Sequence, residues 1–308
     1  MAPLVSVMMP CYNSAHTLPM ALASLLAQEH EDWECVLVDD GSTDNVGEVV
    51  ERANDGRLRL IRLAENRGRG AARQTALENS RGEYICMLDA DDWMYPWRIS
   101  AQVDIMQHEP RLALVSSGMA VVDDRNDIVG VRCVGDHAHA PIVRAPLRRP
   151  LPPPVAHASS MLRAVALRPL QYDASFPLVE EISVLLQVLM NHAYCVMPRV
   201  TYVYTERTSV GPGKILLGHV YLRRVFSKYR RSSPFYARWQ IGKSYIKSLM
   251  YMTCFALGLG KRIVAARCRK PMAHEREEFY RAREVVCRAA ARFSSSEGRP
   301  GQISPDGK

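Results

Sequence analysis

Residues 84–93 read YICMLDADDW, an apolar run that ends in three carboxylates within four residues. Five apolar or aromatic residues in a row predict a strand that is buried on both faces, as in the middle of a parallel sheet. Open α/β sheets hold their ligands at the carboxyl ends of such strands. Three negative charges this close repel one another unless a cation compensates them, and a divalent metal ion carrying phosphate oxygens is one such cation. The alternative is an acidic loop that begins a helix.

Strand and helix patterns alternate around this stretch over about 120 residues. Strands are expected at 4–9, 35–38, 58–63, 84–88 and 112–119, and helices at 18–28, 46–50, 71–79 and from 96 onward. This βαβ spacing predicts an α/β fold with a mostly parallel sheet and helices on both of its faces. Further along, the sequence predicts a hairpin at 121–129, a loop at 141–154 and an amphipathic helix within 176–191.

The charge of the 308-residue chain is unevenly distributed. Residues 1–213 contain 19 Arg, no Lys and 26 Asp or Glu, a net charge of −7. Residues 214–308 contain 21 Lys or Arg and only 6 Asp or Glu, a net charge of +15. This shift predicts a boundary near the Gly-Pro-Gly sequence at 211–213, which is itself a strong breaker of regular structure.

The eight cysteines are scattered and form no CxxC pair. Several lie in apolar runs, as reduced core thiols do, which favours a cytoplasmic setting over a disulfide scaffold. Met1 leads directly into a strand-like segment rather than a secretory leader. No uncharged apolar run approaches the roughly 18–20 residues that span a bilayer. We therefore expect a cytoplasmic protein, with peripheral contact to the inner face of the cell membrane as a further option.

Two common nucleotide-binding motifs are absent from the sequence. There is no GxGxxG after the first strand, and no GxxxxGK[ST] anywhere in the chain. The predicted strands end instead in Tyr12, Asp40 and the carboxylates of 89–92. These residues offer an aromatic face, an acceptor for a base N–H and a metal site. Together they indicate a pocket for a nucleotide diphosphate.

Five segments then occur in order: VSVMMPCYN at 5–13, VDDGSTD at 38–44, NRG at 66–68, AR at 72–73 and LDADD at 88–92. The chain resembles the inverting family 2 glycosyltransferases of GT-A fold, strongly over 4–120 and moderately over 155–210. The resemblance implies a catalytic domain at 1–213, with a nucleotide-sugar half at about 1–120 and an acceptor half at about 121–213. It further implies metal-dependent transfer of a sugar from a nucleotide-diphosphate sugar, most simply a UDP-sugar, to a glycan or lipid-linked saccharide in cell-surface polysaccharide synthesis.

The resemblance also implies roles for residues of the donor site. Pro10, Tyr12 and Asp40 would surround the base, with Asp40 accepting from uracil N3–H. Asn66, Gly68 and Arg73 would flank the nucleotide, with Arg73 on the diphosphate and Arg69 as the second candidate. Asp89-Ala90-Asp91 matches the DXD motif, so that Asp91 would ligate Mg²⁺ or Mn²⁺ directly and Asp89 would assist it or meet the ribose. Asp92 would cap the following helix.

An inverting transfer needs a base for the acceptor hydroxyl. In the family this base lies in an acidic pair at a helix start, and Glu180-Glu181 matches in position although the usual second residue is Asp. Glu181 is the expected base and Glu180 the alternative; the other interpretation is that both simply favour the helix N-terminus. His157 falls where the acceptor-side strand begins, as an acceptor-pocket residue or as a structural histidine.

The basic segment 214–293 interleaves apolar and aromatic residues with cations, and we expect it to be helical. It suits either a helix lying in the headgroup region of an anionic membrane, or helices packed on the catalytic domain with a solvated basic face. No nucleic-acid-binding module is recognisable, so no nucleic-acid partner is expected. Residues 294–308 are expected to be a disordered tail.

Two other functions are compatible with an acidic strand end in an α/β fold. A sugar nucleotidyltransferase would share the carboxylate-bound metal, but it needs a glycine-rich, basic loop near its start, and residues 1–20 contain none. A catalytically silent GT-A-fold binding subunit is the second alternative, because the acidic pair departs from the usual form.

Overall fold

A ten-stranded mixed sheet forms the centre of the computed structural model, which describes residues 2–132, 140–206, 211–260 and 267–294. Its strands are β1 (Val5–Cys11), β2 (Trp33–Asp39), β3 (Leu58–Arg62), β4 (Tyr84–Met87), β5 (Trp93–Met94), β6 (Leu112–Val122), β7 (Ile128–Arg132), β8 (Ile142–Arg144), β9 (Ser160–Arg163) and β10 (Ala193–Thr205). They lie in the order β3-β2-β1-β4-β9-β6-β10-β5, with β7 paired to β6 and β8 to β10. Pairs β1–β2, β1–β4, β2–β3 and β6–β10 are parallel.

The helices are α1 (Leu18–Leu26), α2 (Val46–Ala53), α3 (Arg69–Glu78), α4 (Arg98–His108), α5 (Ala164–Leu167), α6 (Glu180–Asn191), α7 (Pro212–Ser227), α8 (Pro234–Ala256) and α9 (Ala273–Ser294). The predicted α/β sheet is confirmed. The predicted hairpin is present as β6 and β7, and the segment predicted to be a loop contains the short strand β8. None of the helices in the described part of the chain is long and apolar enough to cross a membrane.

Both faces of the sheet are covered, because successive side chains of a strand point to opposite faces. Val7 and Met9 of β1 pack in one cluster with residues of α1, α2 and α4. Met8, between them, packs in a second cluster with residues of α3, α5 and α6. The expectation of helices on both faces is therefore confirmed. It also explains why the inner strands are apolar throughout rather than alternating.

The parallel register brings the predicted ligand-binding residues to one edge of the sheet. Cys11 pairs with Asp39, so Tyr12 and Asp40 leave adjacent strands at the same level. Met8 of β1 pairs with Met87, so the loop with Asp89 begins beside them. The carboxyl ends of β1, β2 and β4 thus form the floor of one site.

The expectation that Asp92 caps a helix is wrong. Helix α4 begins only at Arg98, with Trp97 at the N-cap position. The buried carboxylate of Asp92 instead accepts hydrogen bonds from the Tyr202 hydroxyl at 2.7 Å and the Thr205 amide at 2.8 Å. Asp92 therefore binds the loop after β4 to the end of β10.

The basic segment after residue 213 does not form one separate layer. Helix α9 buries Phe279, Ala282 and Val286 completely, in a cluster with Trp93 and Val203 of the sheet. Helix α7 packs on both α6 and α8. The last described helix therefore shares a hydrophobic core with the sheet, while the boundary near residue 213 stays a prediction. The tail beyond residue 294 lies outside the described residues.

Phe279→Ala tests whether α9 stabilises the sheet. We expect the free energy of unfolding to fall by about 3–5 kcal/mol, because a fully buried ring is removed from a packed core. Tyr280→Ala, on the same helix but 44% exposed, should cost less than about 1 kcal/mol. Urea unfolding of the full chain measures both, and equal losses would show that α9 is not part of the core.

Candidate active site

The loop after β2 is held against the loop after β3. Gly41 has φ of +71°, and a Cβ at this position would lie 2.6 Å from the carbonyl carbon of Glu65, so only glycine permits this approach. Next to it, the carboxylate of Asp40 accepts hydrogen bonds from the amides of Arg67 and Gly68, each at 2.8 Å. Asp40 therefore orders the loop that leads into α3.

A cavity of about 220 Å³ lies at this point. The sequence-predicted residues that line it are Pro10, Tyr12, Asp40, Asn66 and Gly68. Tyr12 is half exposed, so one face of its ring is open to a planar group. Asp40 is almost completely buried, and both of its oxygens already accept from loop amides. The structure brings the predicted base-binding residues together, and their role toward a base stays a prediction.

A second cavity, of about 400 Å³, is lined by three of the predicted residues of the reaction centre, Asp89, His157 and Glu181, but not by Asp91 or Glu180. Its charged and titratable lining includes Arg69, Arg73, Asp89, His157 and Glu181. Arg69 lines both cavities, so the two adjoin at this side chain. Residues as far apart in the chain as Arg69 and Tyr204 therefore meet around one space.

Arg73 is engaged with three carboxylates of the site, and its predicted role toward a diphosphate stays a prediction. Its guanidinium is 5% exposed and donates to Glu180 Oε1 at 2.7 Å and to Asp89 Oδ1 at 3.0 Å. Its Nη1 also lies 3.6 Å from Glu181 Oε2. A buried cation is stable only when paired, so Arg73 acts as a positioning residue for three carboxylates.

Arg69, the second candidate for the diphosphate, has the better position. Its side chain is 42% exposed, although it also donates to Glu180 Oε1 at 2.7 Å. It stands at the junction of the two cavities. Its Nη2 also donates to Glu180 Oε2 at 3.2 Å. The remaining N–H groups of this partly exposed guanidinium, beside a nucleotide-sized space, are suited to phosphate oxygens.

Glu180 and Glu181 are neighbours in sequence but differ in environment. Glu180 is fully buried, and burial by itself would raise its pKa. The hydrogen bonds from Arg69 and the charge of Arg73 outweigh this effect, so the pKa of Glu180 lies below the usual value. The side chain of Glu181 remains 24% exposed, and its Oε2 makes no hydrogen bond to any described residue. Burial raises the pKa of Glu181, and the negative charge of Glu180 adds to this effect. The geometry therefore favours Glu181 over Glu180 as a base.

The turn before this pair is strained. Val179 has φ of +62° and ψ of 20°, a left-handed conformation that costs a β-branched residue on the order of 1–3 kcal/mol. Such a conformation persists only where the surroundings enforce it. Here the ion pairs of Glu180 with Arg69 and Arg73 fix the start of α6.

Asp89 and Asp91 are the candidate ligands of a divalent ion. Asp89 is a quarter exposed and stays ionised, because Arg73 and Arg69 outweigh the burial and hold the pKa of Asp89 below its usual value. Asp91 is half-buried two residues further on. Within the described residues, no three His, Cys, Asp or Glu side chains form a metal cluster. Two hard carboxylates fit an Mg²⁺ or Mn²⁺ ion that substrate phosphates and water complete, since such ions are often held in this way.

His157 lies at the wall of the larger cavity and is 5% exposed. Its Nε2 is 2.8 Å from the hydroxyl of Tyr172, and its buried Nδ1 has no hydrogen-bond partner among the described residues. Burial, with the charge of Arg73, lowers the pKa of His157 well below its usual value. A neutral imidazole whose Nδ1 has no hydrogen-bond partner among the described residues is compatible with a role in the acceptor pocket and with a structural role.

Sequence reasoning missed three residues that shape the site. The fully buried Arg98 donates to the carbonyls of Met87 and Ala158, at 2.8 and 2.9 Å, and so joins the end of β4 to the segment with His157. Arg132 and Tyr204 line the larger cavity opposite α6. Arg98 was not recognisable, because an arginine in a helix is usually exposed.

The family model "Glycosyl transferase family 2" matches residues 6–167, more than half of the chain. The chain belongs to glycosyltransferase family 2. The match begins in β1 and ends with α5, so it contains all the residues that line the smaller cavity and the DXD motif, but not Glu181.

Among curated relatives, the chain is 32% identical over 127 residues to "UDP-Glc:alpha-D-GlcNAc-diphosphoundecaprenol beta-1,3-glucosyltransferase WfgD" of Escherichia coli, covering 41% of this chain and 49% of the relative. It is 34% identical over 146 residues to "Succinoglycan biosynthesis protein ExoO" of Rhizobium meliloti, covering 47% of this chain and 40% of the relative. The chain thus spans about half the length of the curated relatives it matches.

Two solved structures show the same fold. The structure of S. aureus TarS 1-349 in complex with UDP superposes with a TM-score of 0.63 at 19% identity, covering 95% of this chain and 90% of that one. The mannosyltransferase PcManGT from Pyrobaculum calidifontis, in complex with GDP-Man and Mn²⁺, has a TM-score of 0.58 at 19% identity, covering 97% and 89%.

Glu180→Gln and Glu181→Gln compare how much the charge of each carboxylate contributes to the stability of the fold. We expect Glu180→Gln to lower the free energy of unfolding by about 3 kcal/mol, because it leaves the buried guanidinium of Arg73 undercompensated. Glu181→Gln should change it by less than about 1 kcal/mol, since the fold does not favour the charged form of Glu181. Urea unfolding at neutral pH compares them; a larger loss for Glu181→Gln would contradict this division.

Proposed function

We propose that this protein is a metal-dependent, inverting glycosyltransferase that moves a sugar from a nucleotide-diphosphate sugar to a saccharide acceptor. The observation that carries the proposal is the shared cavity of Asp89, Arg69 and Glu181, next to the cavity of Tyr12 and Asp40. One cavity has the size and lining for a base, and the other has room for a diphosphate, a sugar and an incoming hydroxyl.

The relatives support the choice of substrates. WfgD is by name a UDP-glucose-dependent enzyme acting on a diphosphoundecaprenol-linked saccharide, and ExoO is a succinoglycan biosynthesis protein. TarS has been solved with UDP and with UDP-GlcNAc. For this chain we propose a UDP-sugar as donor, a glycan or lipid-linked saccharide as acceptor, and cell-surface polysaccharide synthesis as the setting.

Asp91, assisted by Asp89, would hold Mg²⁺ or Mn²⁺ against the donor phosphates. When bound, the ion supplies charge stabilisation for the departing diphosphate. The proposal is supported by two hard carboxylates two residues apart, of which Asp89 lines the larger cavity, and PcManGT has been solved in complex with GDP-Man and Mn²⁺. Arg69, at the junction of the cavities, would bind the same diphosphate from the side of α3.

Glu181 would take the proton of the acceptor hydroxyl as that oxygen attacks the anomeric carbon. Its pKa, raised by burial, makes it a stronger base than an exposed glutamate. A single displacement of this kind inverts the anomeric configuration. Glu180 would keep Glu181 in place by fixing the start of α6 through its ion pairs with α3.

Glu181→Gln and Asp91→Asn test these two roles. Glu181→Gln should bind UDP with normal affinity but lose about 10²–10⁴ in kcat, since only the proton acceptor is removed. Asp91→Asn should lose the strengthening of UDP binding by Mn²⁺. Glu181→Asp, which restores the family's usual residue, is the matched control and should retain transfer.

The assays are UDP binding by calorimetry with and without Mn²⁺, and turnover with a panel of UDP-sugars. Normal transfer by Glu181→Gln would reject it as the base. Release of free UDP from a UDP-sugar in the presence of acceptor or water would exclude the catalytically silent subunit. A sugar nucleotidyltransferase would instead release diphosphate from a nucleoside triphosphate.

The pH profile offers a second test of Glu181. The base must be ionised, and its pKa is raised by burial, so kcat/KM should fall on the acidic side with an apparent pKa above the ordinary glutamate value. In Glu181→Asp the same limb should persist with a shifted midpoint. A rate that stays constant through the acidic range down to the onset of unfolding would contradict an ionising base.

A further inference from the structure

Helix α8 has its apolar side chains on the outside. Five residues at helical spacing form one stripe, which we call the outer stripe: Phe235, Trp239, Ile246, Met250 and Leu257. Their exposed fractions are 70, 61, 71, 45 and 68%. The buried side of the same helix consists of small or polar residues: Ala237, Gln240 and Ser244. A helix that simply covers a core shows the reverse pattern, so the outer stripe is a binding surface.

The charges around the outer stripe are all positive. Between residues 212 and 256 the chain has nine Lys or Arg and no Asp or Glu. On α8 itself, Lys243 and Lys247 flank the stripe on one side and Arg238 on the other, and all three are exposed. A second copy docked symmetrically on this face would oppose these cations with their own equivalents, which is unfavourable. The surface therefore fits a partner that is both apolar and anionic.

A cavity of about 330 Å³ between α7 and α8 adds a place for a single anionic group. It is lined by Arg223, Arg224, Arg230 and Tyr245, together with apolar Val220 and Ile241. The guanidinium of Arg223 lies 4.2 Å from the centre of the Tyr245 ring. Several guanidinium groups with no carboxylate among the lining residues suit a phosphate, and the apolar members suit the chain that carries it.

We propose that the hairpin of α7 and α8 docks on the surface of an anionic lipid bilayer, with the outer stripe of α8 in the headgroup region and the flanking Arg238, Lys243 and Lys247 on lipid phosphates. An apolar stripe with Trp and Phe, bordered by cations, is the pattern of helices that lie in the plane of a membrane. Each cation near an anionic leaflet adds to the attraction.

Packed side chains connect the hairpin of α7 and α8 to α6, the helix that carries the candidate base Glu181. Val225 and Phe226 of α7 are fully buried against Leu186 of α6, with Ile182 at the edge of the same cluster. Ile182 follows Glu181 and lines the larger cavity. Docking would thus hold the catalytic domain at the bilayer through the helix that carries Glu181. The docking proposal itself does not depend on the proposed sugar transfer.

The test is flotation of the full-length protein with vesicles of equal parts phosphatidylcholine and phosphatidylglycerol, against vesicles of phosphatidylcholine alone. We expect binding to the anionic vesicles that weakens with added salt. The double variant Trp239→Ser, Ile246→Ser should lose at least about tenfold in affinity, since both side chains are withdrawn from the headgroup region. Lys243→Gln with Lys247→Gln should lose a similar factor.

Matched controls remove the same chemistry elsewhere on the surface. Val129→Ser with Val165→Ser deletes two exposed apolar side chains, and Arg52→Gln with Arg111→Gln deletes two exposed cations. Both pairs should float like the unaltered protein. Unchanged thermal unfolding of every variant confirms that it is folded, which is expected because the substituted positions are exposed.

Equal flotation of the outer-stripe variant and the unaltered protein would overturn the proposal, and so would equal binding to neutral and anionic vesicles. Failure to float, together with a dimer in analytical ultracentrifugation that Trp239→Ser, Ile246→Ser dissociates, would also overturn it and assign the face to a second copy. Loss of sugar transfer plays no part in these outcomes, so failure of the proposed function is separately recognisable.

Discussion

The buried guanidinium of Arg73 joins the two halves of the site. It pairs at 2.7 Å with Glu180, from the acceptor half, and at 3.0 Å with Asp89, from the end of β4 in the donor half. A buried charge without its partner costs several kcal/mol, so neither half can move away alone. Arg73 thereby ties the start of α6 to the loop after β4, and with it the position of the proposed base, Glu181, relative to Asp89. Every other contact of the site is arranged around it.

Much of the sheet was predictable because its inner strands are apolar runs with breakers at both ends. The strands before Asp40 and Asp89 could be recognised from the local sequence alone, without knowledge of tertiary contacts. Strands β5 and β8 were not predictable, since they consist of two and three residues and exist only by pairing with β10. The prediction that Asp92 caps a helix was wrong for the same reason, because its hydrogen-bond partners lie 110 and 113 residues away in the sequence.

The site was predictable to the level of which loops take part, and less so for individual side chains. Tyr12, Asp40 and Asp89 follow strand ends directly, so topology alone places them. For Arg69 and Arg73 the sequence offers two arginines four residues apart on one helix, which share a face. Which of them is buried depends on Glu180, 107 residues beyond Arg73, and this contact has no local signal. The role of Arg98 was not predictable for the same reason, because its contact with the Ala158 carbonyl lies 60 residues away in the sequence.

The charge balance of the cluster explains why Glu181 rather than Glu180 can accept a proton. Two cations, Arg69 and Arg73, face three carboxylates, those of Asp89, Glu180 and Glu181, so the fully ionised cluster carries one excess negative charge. Glu180 receives charge-assisted hydrogen bonds from both arginines, which stabilise its ionised form. The excess therefore falls on Glu181, whose pKa is raised above the usual value. A proton taken up there brings the cluster to neutrality, which is the electrostatic condition for a base in a closed site.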